Sequence, residues 1–370
     1  MMDFTYHMPV KVRFGLGVLG ELGTHARGFG AKRVLIVTGK GSMKRTGILD
    51  RAVGLLEGFN VAVFDEVESD PSLKTIDEGV SAAKGRDLIV GLGGGSALDA
   101  AKAISAISAN GGPASEYLAG RKIEKAGPKI IAIPTTAGTA SEVTEVSVMT
   151  DRGSRIKKAI RSAHMYPAMA LDDPELTVTM PKDVTASSGL DAMAHAVEAL
   201  VSRKSQPIPD ILCMQAAKLV LENLEDAYRD GADLKARENM LFASLMAGFG
   251  ITHAGAGLAH GISYSLWRKA GTAHGLACGI LLPHVMRYNL GHEGGKYGVL
   301  AGFCGYKNPE DLICRVESLN AALGVPKRIG VLGIGSSDIG FMVSGVGGGV
   351  MANPRHTDEA ALASFIESIL

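Results

Sequence analysis

At 370 residues the chain exceeds one ordinary core and predicts two domains. Its 38 basic and 38 acidic side chains cancel, so no whole-protein field recruits nucleic acid or an anionic membrane. With 46% hydrophobic residues, 5% aromatics and 48 glycines, the composition excludes a disordered chain and describes a tightly packed interior rich in Ala, Gly and Val.

The N-terminal MMDFTYHMPVKVRFG lacks a basic head followed by an apolar run, and no uncharged apolar stretch reaches the roughly 18 residues of a membrane span. From residue 31 onward, short β-branched runs alternate with longer amphipathic ones. VLIVTG (34–39), a helical segment after Arg45, VAVFDEV (61–67), a helix over 72–84 and LIVGLGGGS give strand, helix, strand in succession. That order predicts a parallel sheet with crossover helices. KIIAIPTTAGT (129–139) is a further buried strand, and VSVMTD (146–151) and MALDDPEL (169–176) are expected to complete the sheet. After Pro174 the β-branched runs thin out and Ala/Leu/Met patterns of period near 3.6 take over. The expected boundary falls near 174–183, giving an α/β dinucleotide-binding domain at 1–178 and an all-helical metal- and substrate-binding domain at 179–370. The Gly-rich patch from Gly333 to Arg355 reads as loops between terminal helices, with a mobile lid as the alternative. Cys213, Cys278, Cys304 and Cys314 form no CxxC pair, so neither a zinc knuckle nor a disulfide framework is expected. Reduced thiols in a soluble cytoplasmic protein are the simpler reading.

Two motifs carry chemistry. GLGGGSALDAAKA (91–103) ends a strand and opens a helix, where backbone N–H groups and the helix dipole bind a pyrophosphate. There Gly93, Gly94 and Gly95 are expected to let the backbone approach the ligand, while Ser96 and Asp99 are expected to cap the helix. The register from Gly91 has Ser96 where a Rossmann fingerprint needs its last glycine. A second polar turn, Thr135, Thr136, Gly138 and Thr139, ends the next strand and adds donors. The other motif is GLDAMAHAVEAL (189–200), in which Asp191 and His195 stand four apart in a helical pattern and share one face, about 5–6 Å apart at Cβ. His260 and His274 follow in small-residue apolar segments where an unpartnered imidazole is costly. One oxygen and three nitrogen ligands for a divalent ion is the functional reading, and separate satisfied core pairs are the bland one.

With these residues in view, the chain resembles the iron-containing (group III) alcohol dehydrogenases, similar in fold to dehydroquinate synthase and glycerol dehydrogenase. GGGSALDAAKA, IPTTAGTASEVT, LDDPEL, GLDAMAHAVEAL, GLAHGISYSLW, HGLACGILLPHVMRYN and ANPR carry the resemblance along nearly the whole length. It implies an α/β nucleotide-binding domain followed by a helical one, with the active site in the cleft between them, and a homodimer. It implies metal ligands at Asp191, His195, His260 and His274, and nucleotide contacts that include Asp70, Val148 and Lys157. The implied activity is reversible hydride transfer between NAD(P)(H) and a small primary alcohol or aldehyde, with iron(II) as the ion and zinc possible.

This chain departs from the family pattern twice. Four residues after the third ligand, where many members have a proton-relaying histidine, stands Tyr264. An unperturbed tyrosine titrates near ~10 and is a reluctant acid or base at neutral pH, so Tyr264 is read as orienting substrate, with His253 or metal-bound water as the proton relay. At the end of the first strand, where NAD-preferring relatives often have an aspartate, stands Gly39. Ser42 and Lys44, with Arg45, are then available to a 2′-phosphate, which predicts a preference for NADP(H). Two rivals remain: a dehydroquinate-synthase-like lyase on the same fold, and a catalytically silent oligomeric scaffold.

Overall fold

The computed structural model describes residues 4–370. Its contacts divide the chain into two units, one spanning His7–Met180 and the other Pro181–Leu370 together with the described residues before His7. Those residues were expected in the α/β domain. Instead the Tyr6 ring stacks on His253 of the helical unit, with centroids 4.6 Å apart and planes 10° from parallel.

The first unit holds strands β1 (Lys11–Phe14), β2 (Arg33–Gly39), β3 (Asn60–Val67), β4 (Leu88–Gly93), β5 (Lys129–Pro134), β6 (Val146–Asp151), β7 (Ile156–Arg161) and β8 (Met169–Asp172). Its helices are α1 (Leu22–Gly28), α2 (Ser42–Arg45), α3 (Ile48–Gly54), α4 (Leu73–Ala82), α5 (Gly95–Asn110) and α6 (Ala114–Leu118). Six strands form a parallel sheet in the order β1-β8-β5-β4-β2-β3. Successive side chains of a strand face opposite ways, so Leu35, Val37 and Ile89 join a core with α4, α5 and α6, while Val34, Ile36, Leu88 and Val90 join another with α1 and α3. Burial on both faces explains why these strands read as continuous apolar runs.

Two elements depart from the sequence expectation. β6 does not enter the main sheet; it pairs antiparallel with β7 as a separate ribbon. Two of its donors go to α5: the Val148 N–H donates to the Asp99 carboxylate at 2.8 Å and the Ser147 hydroxyl to the Asp99 carbonyl at 2.8 Å. β1, which the sequence reading passed over, closes one edge by pairing with β8.

The second unit contains α7 (Lys182–Val201), α8 (Pro207–Arg229), α9 (Leu234–Ala254), α10 (Leu258–Ala270), α11 (His274–Asn289), α12 (Lys296–Phe303), α13 (Pro309–Ala322), α14 (Ile339–Ser344) and α15 (Glu359–Ser368). From Gly189 to Val201 α7 is buried on all sides, packed against α8, α9 and α11, as an apolar helix with no solvent face must be. Small residues set the spacing. A Cβ on Gly189 would lie 2.3 Å from Leu224, one on Gly279 2.6 Å from Leu190, and one on Gly275 1.9 Å from the Ser187 carbonyl oxygen. α9 ends at Gly255, whose φ of 73° with ψ of 170° suits a residue without Cβ, and α10 departs at 99°. Among the described residues no single helix is long and apolar enough to cross a membrane.

The Gly-rich patch is more ordered than loops. It contains α14 and short 3-10 turns docked on α10, with Gly347 N–H donating to the Gly261 carbonyl at 3.0 Å and Ser265 Oγ to the Met342 carbonyl at 2.7 Å. A Cβ on Gly349 would lie 2.1 Å from the Gly257 carbonyl oxygen, so glycine here serves close packing.

Candidate metal centre and dinucleotide cradle

The helical unit brings the carboxylate of Asp191, the imidazoles of His260 and His274 and the thiol of Cys278 together, one ligand atom of each within 4.8 Å of the others. Asp191 comes from the centre of α7, His260 from the first turn of α10, and His274 from the first residue of α11. His260 Nε2 lies 3.4 Å and His274 Nε2 3.5 Å from Asp191 Oδ1. His195, one turn along α7 from Asp191, stacks on His260 with centroids 4.5 Å apart.

The hydrogen bonds behind these side chains fix which nitrogen faces inward. Glu198, also on α7, accepts from Gly257 N–H at 2.9 Å, Ala259 N–H at 2.6 Å and His260 Nδ1 at 2.5 Å. It therefore caps α10 and leaves the Nε2 lone pair of a neutral His260 directed at Asp191. Ser263 Oγ donates to the His260 carbonyl at 2.7 Å, which leaves it to accept from His274 Nδ1 at 3.1 Å. His274 Nε2 is then also a lone pair. Asp191 Oδ1 and His260 Nε2 are buried and make no hydrogen bond. Burial opposes charge on Asp191, yet His195, His274 and His260 hold its carboxyl well below the ordinary range.

Two such orphaned acceptors in one buried place require a cation or an added proton. The observed 3.4 and 3.5 Å separations suit co-ligands, since oxygen and nitrogen at about 2.0–2.2 Å from one tetrahedral ion lie roughly 3.4 Å apart. The donor set thus fits a divalent ion.

The proton-transfer candidates stand in different settings. The half-buried Tyr264 ring packs edge-on to His274, centroids 6.0 Å apart, and against Gly347. His253 Nδ1 faces the Phe249 carbonyl at 2.7 Å and must donate to it, so Nε2 is the acceptor of the neutral ring.

In the α/β unit, β4 runs through Gly93 (φ 143°) and the N-cap Gly94 into α5. Two of the glycines have a packing role of their own. A Cβ on Gly94 would meet Thr136 at 3.1 Å and one on Gly95 would meet Thr139 at 2.6 Å, so these two let the Thr135–Thr139 turn close over the helix start. Thr135 N–H donates to the Gly93 carbonyl at 3.0 Å, and Gly138 lies buried in the same turn. Ser96 and Asp99 do not cap α5, whose N-cap makes no side-chain hydrogen bond. Ser96 Oγ accepts from Asp70 N–H at 3.2 Å, and Asp99 accepts from Ser141 Oγ at 2.5 Å as well as from Val148. Asp70, itself left-handed at φ 54°, pairs with Lys157 at 2.5 Å. Asp99, which resembled a cap, and Asp70 are ties between the glycine turn with its helix and the β6–β7 ribbon.

At the end of β2, a Cβ on Gly39 would meet nothing closer than the Val67 carbonyl oxygen at 3.5 Å, and the following Ser42, Lys44 and Arg45 are exposed. Beyond the expected site, the α/β unit buries Glu142, Asp172 and Lys102. Burial pushes Glu142 up to about 7 against the pull of its own backbone N–H and of Lys102, and burial beside Glu142 lifts Asp172 well above its ordinary value.

Glu198 and Cys278 were missed by the sequence reading, although both had a usable spacing. Glu198 is three residues after His195 and seven after Asp191, and Cys278 is four after His274.

The model of the family described as iron-containing alcohol dehydrogenase matches residues 9–174, and that of its C-terminal region matches residues 185–370. The chain is 34% identical to 1,3-propanediol dehydrogenase of Citrobacter freundii, covering 98% of this chain and 97% of that one. It is 33% identical to NAD-dependent methanol dehydrogenase of Bacillus methanolicus, covering 99% of each. Among solved structures, sulfoacetaldehyde reductase from Bifidobacterium kashiwanohense in complex with NAD+ is similar at a TM-score of 0.95, with 30% identity over 100% of this chain and 99% of that one.

Proposed function

The chain belongs to the iron-containing alcohol dehydrogenase family and performs alcohol/aldehyde redox chemistry with a metal ion and a nicotinamide dinucleotide, and on that premise we propose its ligands, its cofactor preference and its proton path. The ion is iron(II), with zinc as the competing occupant, and Asp191, His195, His260 and His274 hold it. The observation that carries this reading is the orphaned pair of Asp191 Oδ1 and His260 Nε2 among inward-facing imidazoles. When bound, the ion acts as a Lewis acid that polarises a carbonyl oxygen and stabilises alkoxide charge while the nicotinamide supplies hydride.

The protein's own part is to turn Nε2 of His260 and His274 toward Asp191 by engaging their Nδ1 atoms with Glu198 and Ser263. His253 Nε2 accepts or returns the alcohol proton, and the Tyr264 ring orients substrate. The α/β unit holds the dinucleotide at Gly93, Gly94, Gly95, Ser96 and the Thr135, Thr136, Gly138 and Thr139 turn, with Asp70, Asp99, Val148 and Lys157 bracing that cradle. Gly39 presents no carboxylate, and Ser42 and Lys44 offer donors to a 2′-phosphate, which supports preference for NADP(H).

The substrate is a short primary alcohol or its aldehyde, and the protein works as a cytoplasmic homodimer, checked by light scattering. Assay of metal-free protein reloaded with iron(II) or zinc, on a panel of short aldehydes with both reduced cofactors, tests the reading. A higher kcat/KM with NADPH is expected, and Gly39→Asp should move the ratio toward NADH. A wild-type kcat/KM that is higher with NADH overturns the cofactor assignment.

A further inference from the structure

We propose that Cys278 is an additional ligand of the ion, so that this chain's centre carries a sulfur donor beside its imidazoles and carboxylate. The proposal rests on the reading that Asp191, His260 and His274 bind the ion. Cys278 is fully buried and its Sγ lies 4.0 Å from His274 Nε2. That is too long for a useful hydrogen bond. It is reachable for two ligands of one ion, since zinc–sulfur and zinc–nitrogen bonds of about 2.3 and 2.0–2.1 Å span roughly 3.6 Å at the tetrahedral angle and about 4.4 Å in line. The two acceptors without partners, Asp191 Oδ1 and His260 Nε2, belong to the same 4.8 Å group.

Helix geometry makes the placement systematic. His274 and Cys278 are four apart on α11, as Asp191 and His195 are four apart on α7, so each helix offers two donors on one face. Gly275 and Gly279, on either side of Cys278 in sequence, have no room for a Cβ against Ser187 and Leu190, and so seat α11 directly on α7. The other fully buried thiol differs. Cys213 Sγ fills the space where a Cβ on Gly250 would be, 2.2 Å away, and is a packing residue.

On ligation a sulfur lone pair bonds the ion, the thiol proton leaves to solvent, and no electron is transferred. A soft donor favours zinc over iron(II) at a site otherwise made of nitrogen and oxygen.

The test uses full-length metal-free protein carrying Cys304→Ser and Cys314→Ser, to remove the two thiols outside the core, loaded with one equivalent of cobalt(II). A thiolate-to-cobalt charge-transfer band in the near ultraviolet is expected beside the visible d–d bands. Cys278→Ser should lose the former and keep the latter, and its zinc-to-iron(II) affinity ratio should fall by about tenfold. Visible bands without the charge-transfer band overturn the sulfur ligand and leave the imidazole site standing. Absence of both overturns the site itself. X-ray absorption of the zinc-loaded wild-type protein gives the same answer without a variant at Cys278: one sulfur neighbour supports the proposal and none overturns it.

Discussion

Each unit of this protein buries a group of charged side chains with unpartnered atoms, and the two groups resolve that cost in opposite ways. In the helical unit Asp191 Oδ1 and His260 Nε2 are lone pairs directed at a common space, with His274 and Cys278 beside them. In the α/β unit the unpartnered atoms include the carboxyl oxygens Glu142 Oε1 and both of Asp172. The neighbouring cation there, Lys102, spends its donors on Ser141 O, Thr144 O and Thr144 Oγ1 at 2.9, 3.4 and 3.0 Å and pairs with Asp99 at 3.2 Å. Nitrogen acceptors around a carboxylate held charged call for a metal cation. Carboxyls whose local cation is already engaged call for protons.

The largest expected effect breaks the first half of that comparison. Asp191→Asn replaces the anionic ligand with a neutral amide of the same shape, and a Lewis-acid contribution of several kcal/mol makes the loss in kcat/KM about a thousandfold. Metal content measured on the same preparation should fall with activity. An Asp191→Asn protein that retains both would remove the centre from the mechanism.

Glu198→Gln sharpens the comparison by leaving the ligands in place and disturbing only what aims them. A carboxylate accepts from the Gly257 and Ala259 amides and from His260 together. A glutamine has one acceptor oxygen, so its NH2 must face a donor. Loss of such a support to a metal-bound histidine typically costs about 10–100-fold in affinity. Competition titration with a chelating dye measures it, and unchanged affinity would show that α10 alone orients His260.

How far the sequence carried this picture depends on the range of the interaction. The strands β2, β4 and β5 were legible because burial on both faces leaves an uninterrupted apolar run, and Asp191 and His195 because four residues on a helix is a local distance. β1 was not, since KVRF is only half-buried and its partner β8 lies far along the chain. The β6 run carried the right period and the wrong partner: what keeps it out of the main sheet is Asp99, a residue that locally resembles a helix cap. The triple glycine was recognised as a close approach, but sequence does not show that threonines from another turn are what approach Gly94 and Gly95. Glu198 and Cys278 sit at spacings as regular as those of the predicted ligands, and were passed over because Glu and Cys have common structural roles.

Glu142→Gln addresses the other half of the comparison and has the smallest effect on turnover. Burial raises the folded-state value of Glu142 to about 7 from an ordinary 4.5, and Asp172 moves the same way. A group raised by folding contributes stability that is complete below its unfolded value and is lost as pH rises through its folded value. The wild-type protein should therefore lose stability between pH 4.5 and 7, where ionising one carboxyl leaves charge that Lys102, already paired with Asp99, compensates only in part. Glutamine holds the neutral form at every pH and relieves the repulsion on Asp172. Thermal melts of the variant should show a flatter pH profile and, above pH 7, a gain on the order of 1–3 kcal/mol. A variant that melts lower than wild type above pH 7 would mean that Glu142 is ionised there as the partner of Lys102, and the two buried groups would then share one rule: each charge is met by an opposite charge.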